Sequence, residues 1–197
     1  MRHLLVLALA TAVAGCNLVY SDQPLFTATN AAAAPQAEAG LWLMDSDTCV
    51  VDLKAPVEDW PACAEHQSVA DHGPRAFRLF PGGELRLAAG EPLILQTREK
   101  ADHGRWTYVY AGGVATAFGL DGRATAFRFW PVECGPPPPK PAEGEAHPRY
   151  VTLTPLPGLR IHGDDCRARD PAAVRRAAKA SEAWAETTSG IRWVRAR

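Results

Sequence analysis

The stretch VATAFGLDGRATAFRFW, Val114–Trp130, decides the fold class. Apolar and polar residues alternate on both sides of Asp121-Gly122, which is the pattern of two half-buried strands joined by a tight turn. Asp-Gly suits a two-residue type I′ turn, in which both central residues take positive φ. Pairing Leu120 with Arg123 then sets the register. One face collects Val114, Thr116, Phe118, Thr125, Phe127 and Phe129, and is expected to point into the core. The other face collects Ala115, Ala117, Gly119, Ala124 and Ala126.

The same reading extends outward from this hairpin. Phe77 and Leu79 alternate before Pro81-Gly82-Gly83, and Leu85 and Leu87 before Ala89-Gly90. Leu93, Leu95 and Thr97 share a face, as do Trp106, Tyr108 and Tyr110, with Gly112-Gly113 read as a further turn. Short runs at Tyr150–Thr154, Leu159–His162 and Ile191–Val194 complete the set. Asp170-Pro171 opens one helix, expected over about 171–187: Asp is a good N-cap and Pro is tolerated in the first turn. Arg175 and Arg176 lie at the wrong end of its dipole, so an outside partner is expected, with the acidic Glu38–Glu65 region the nearest candidate. The fold class is mainly β: an antiparallel meander closing into a barrel or a sandwich, with one C-terminal helix.

The N-terminus carries a different kind of information. Arg2 precedes the apolar run Leu4–Ala10, and small residues lead to Cys16. This is a signal peptide, shorter than the roughly 20 residues a spanning helix requires. Val13-Ala14-Gly15-Cys16 resembles the lipobox of bacterial lipoproteins. The resemblance implies that Cys16 becomes the first mature residue and carries lipid on its thiol and its amine. Asn17, in place of Asp, implies sorting to the outer membrane of a Gram-negative cell, with the domain on the periplasmic face. The expected organisation is a signal peptide over 1–15, lipidated Cys16 with a flexible tether over 16–39, and a single β-rich domain over 40–197. As a coil the tether spans on the order of 25 Å. Pro24-Leu25-Phe26 inside it is apolar enough to dock back onto the domain.

With Cys16 set apart, Cys49, Cys63, Cys134 and Cys166 remain, an even number in an oxidising compartment. Three pairings are open; Cys49–Cys63 and Cys134–Cys166 are expected, because each closes a local loop. The spacings lack the CxxC pairs of zinc sites, and neither a metal nor a cofactor is expected. The net charge of −1 gives no sign of a nucleic-acid partner. An acidic region, Glu38–Glu65, and a basic one, Arg160–Arg197, are expected to meet in the fold.

The chain contains no nucleophile elbow, H-E-x-x-H, phosphate loop or dinucleotide fingerprint. His162, Asp164 and Asp165 form its tightest polar cluster, read as a surface turn. Of the six tryptophans, most are expected in the core, with Trp60 the exposed one. Gly40-Leu41-Trp42 ahead of a meander is similar to the G-x-W start of lipocalins, which implies an eight-stranded barrel able to hold an apolar ligand. The expectation is a non-catalytic envelope lipoprotein, attached to the membrane through its lipid and serving as an interaction or structural module toward an envelope protein or cell-wall polymer. The alternative is a lipocalin-like carrier of a small apolar ligand; a hydrolase ranks below both.

Overall fold

The computed structural model describes residues 17–45, 48–71, 76–79, 83–100, 106–137, 154–162, 165–185 and 188–195. In chain order these form β1 (Val19–Ser21), the single-turn helix α1 (Ala28–Ala31), β2 (Gly40–Met44), β3 (His66–Asp71), β4 (Ala76–Leu79), β5 (Gly83–Ala88), β6 (Leu93–Lys100), β7 (Trp106–Phe118), β8 (Ala124–Pro131), β9 (Leu159–His162), β10 (Asp165–Ala168), α2 (Pro171–Ser181) and β11 (Ser189–Arg195).

The strands from β2 to β8 pair antiparallel in sequence order, and β11 fits between β8 and β2. The result is a closed ring of eight strands, a barrel and not a sandwich. Closure leaves the ring without a free edge for another chain to pair with. A three-stranded annex, β1-β10-β9, attaches to β7. The β1–β10 pair is parallel, so the complete sheet is mixed. Pro131 ends β8, and β1 takes the stretch of β7 edge that lies beyond it, at Tyr108 and Val109.

Alternation along the strands separates three cores. Trp42, Leu87, Leu93 and Phe127 fill the inside of the ring. Ile94, Tyr110, Ala88 and Val132 face outward and pack with the annex under Ala173, Val174, Ala177 and Ala178 of α2. Leu41 and Leu43, also outward, are covered by the Cys49–Cys63 loop through Trp60 and Ala64. Both expected disulfides are present, each with its Cα atoms 5.8 Å apart.

The β7–β8 hairpin departs from the expected register. Gly119 N–H donates to Arg123 O and Gly122 N–H to Gly119 O, with Gly122 at φ +79°. That makes a three-residue loop, Leu120–Gly122, with glycine in the left-handed position. Bulges near Ala117 follow, and Ala115 faces Phe127 across the pair. Phe127 and Phe129 therefore turn inward with Ala115, while Val114 and Phe118 turn out to solvent. Gly112-Gly113 is no turn; it lies within β7. A Cβ on Gly112 would stand 2.5 Å from the Trp130 indole, and one on Gly113 would stand 2.5 Å from the Phe129 ring. The two glycines make room for one aromatic ring on each face of the strand.

Helix α2 begins as expected, with Asp170 accepting from Ala173 N–H at 2.8 Å. Its two arginines are offset by turn carbonyls and not by the acidic region. Arg175 donates to Ala89 O and Pro92 O, and Arg176 to Pro157 O. The acidic and basic regions do meet elsewhere. Arg192 pairs with Asp45 at 3.0 Å, and Arg195 donates to Leu53 O and Ala55 O. Among the described residues no helix is long and apolar enough to cross a membrane.

Candidate functional site

Residues 17–39, expected as a tether, are built into the domain. Val19 and Phe26 are fully buried. Phe26 is fastened by a buried glutamine: its N–H donates to Gln96 Oε1 at 2.9 Å, and its carbonyl accepts from Gln96 Nε2 and Arg86. The Phe26 ring meets Tyr110 edge-on and lies under the Arg175 guanidinium. Burial lowers the pKa of that guanidinium. The apolar patch at Pro24–Phe26 thus does dock. Nothing in the sequence marks Gln96: it opens the polar second half of β6, Gln96–Lys100, and looks no different from its polar neighbours there.

From Phe26 the chain runs across one end of the ring. Ala89 N–H donates to Asn30 O beside β5, and Ala124 at the start of β8 exchanges backbone hydrogen bonds with Gln36 and Glu38. Ala34 and Ala37 pack onto the inner core. Gly40, at φ +133°, makes the bend from this strap into β2, a conformation that favours glycine. Trp42 follows, with its ring 5.8 Å from Phe127 and its indole N–H donating to Glu38 O; Trp193 donates likewise to Ala39 O. This end of the ring is closed and filled.

Above that floor the inner wall, over the described side chains, is apolar and only partly covered. Leu95, Ala115, Phe129, Ile191 and Trp193 pack on the inner core yet keep some exposure. Thr97 continues the face of Leu93 and Leu95, since residues two apart share a face. Glu99 follows it toward the far end, opposite Thr107; its side chain is exposed, and partial desolvation raises its carboxyl above the ordinary value. The described inner surface is an aromatic-aliphatic wall over a strapped floor, with a carboxyl toward the other end. Such a surface suits an apolar or amphipathic small molecule.

Other sequence-derived candidates lie apart. His162 is exposed and pairs by backbone with Asp165 across the β9–β10 hairpin. Asp164 falls outside the described residues, as do His72, His103, His147, Asp47 and Cys16. Among the described residues no three His, Cys, Asp or Glu side chains converge as metal ligands. Trp60 is buried, its ring against His66, whereas Trp106 is 48% exposed under Arg98. The Trp60 reading missed that the disulfide loop folds back over β2. A cleft of about 310 Å³ lies outside the ring, between Leu43, Asp45, Val51 and Arg192. No family model, curated protein or solved structure matches the chain.

Proposed function

We propose that this protein is a non-catalytic lipoprotein, anchored by acylated Cys16 on the periplasmic face of a Gram-negative outer membrane, whose barrel holds a small apolar ligand. The observation that carries the reading is the partly covered apolar wall of Leu95, Phe129, Ile191 and Trp193 inside a ring closed at one end. The position of Gly40-Leu41-Trp42 at the strapped end is similar to the lipocalin plan and supports the same reading. A purified soluble form starting at Asn17 is expected to bind a fluorescent apolar probe saturably at one site, and a long-chain fatty acid is expected to displace it. Absence of saturable binding would refute the carrier role.

A second reading is favoured by a specific surface. Val114, Phe118 and Leu120 are each exposed along the β7–β8 hairpin, Phe118 at 56%. Apolar exposure of this kind marks protein contacts. If the domain is an interaction module, Phe118→Ser should abolish crosslinking to an envelope partner and leave probe binding unchanged.

A further inference from the structure

We infer that the domain sits directly on the bilayer, with the surface around Asn17, Glu133 and Trp184 at the headgroup layer. The inference rests on acylation of Cys16. Asn17 is pinned from its first atoms: its carbonyl accepts from Cys134 N–H at 2.6 Å, and its side-chain amide donates to Glu133 and to Gly135 O. Leu18 bridges to Glu133, and Val19 is fully buried between β7 and β10. Consecutive Cα atoms are about 3.8 Å apart, so the lipid-bearing residue lies one peptide from a fixed point of the fold. No spacer remains to lift the domain.

The chemistry of this surface suits a headgroup layer. Pro136, Pro137, Thr154 and Pro155 flank it without charge, with Leu156 N–H donating to Cys134 O. The Glu133 carboxylate is occupied by the Trp184 indole N–H at 2.9 Å as well as by Asn17. Trp184 is only partly buried, and indole rings favour the membrane–water boundary. Asn17 Oδ1 is buried without a hydrogen-bond partner among the described residues. An acylated Cys16 amine is an amide N–H, a donor of the kind that oxygen lacks.

The test uses the full-length protein purified from its membrane, with acylation read by mass. It is reconstituted in phosphatidylethanolamine–phosphatidylglycerol vesicles with plain or brominated acyl chains. Tryptophan emission is expected to be lower in the brominated vesicles. Trp184→Phe should remove most of that loss, while Trp60→Phe should leave it unchanged. Ten Gly-Ser residues inserted after Cys16 should abolish the loss with acylation and vesicle binding intact. Acylated, vesicle-bound protein whose emission is the same in both vesicles, or whose loss survives Trp184→Phe, overturns the inference. An unmodified Cys16 mass refutes the anchor itself, and the inference falls with it.

Discussion

Tyr110 shows how single side chains tie the N-terminal segment to the ring. The Ser21 hydroxyl is committed to Gln23 O at 2.6 Å, so the Tyr110 hydroxyl is the donor in its bond to Ser21. Burial pushes the phenol up to about 12 from its ordinary 10. Between those values the folded state keeps a proton that the unfolded chain has lost. Stability is therefore unaffected below about pH 10 and falls as pH rises toward 12, by at most roughly 2–3 kcal/mol. Alkaline unfolding of Tyr110→Phe should lack that fall, after a pH-independent loss of about 1 kcal/mol for the missing hydrogen bond. Gly112 and Gly113 act by absence. Alanine at either must displace Trp130 or Phe129, at about 1–3 kcal/mol, readable as a lowered melting temperature.

Among the elements, the β7–β8 hairpin shows most clearly what sequence reveals and what it hides. Alternation identified both strands and Asp121-Gly122 located the turn. The turn type was not legible, because Asp-Gly serves both a two-residue loop and the last two positions of a three-residue one. One residue of difference exchanges the faces of the incoming strand. The observed register makes a sharp contrast: Phe127→Ala should cost about 3–5 kcal/mol, while Phe118→Ala should stay within about 0.5 kcal/mol. Denaturant titration of the two variants measures both. The disulfides differ in the same way. Their loops, of separation 14 and 32, contribute about 3 and about 4 kcal/mol in the chain-entropy model. Cys134 and Cys166 are also fully buried where the annex meets α2, so the Cys134→Ser/Cys166→Ser protein should be the less stable of the two double variants.

For the whole molecule, the meander was legible, but its closure into a ring and the strap across one end were not. Residues 17–39 are rich in alanine and polar residues and carry no strong periodicity, so they read as linker. Their order comes from distant partners: Gln96 on Phe26, Tyr110 on Ser21, and Ala124 on Gln36 and Glu38. The inner wall was equally hidden, because Phe129 and Ile191 become neighbours only when β11 closes the ring beside β8. The proposed attachment through Cys16 is separable from this architecture: Cys16→Ser should release a folded domain from the membrane fraction or leave the chain unprocessed, checked by fractionation, mass and circular dichroism. The central claim is that the ring holds an apolar ligand against its inner wall. Its most direct measurement is probe titration of the wild-type domain against Thr97→Trp, in which an indole occupies the space beside Leu95. The expected result is saturable one-site binding by the wild type and at least tenfold weaker binding by the variant, with its melting temperature little changed. Equal binding by the two proteins, or none by the wild type, would contradict the account.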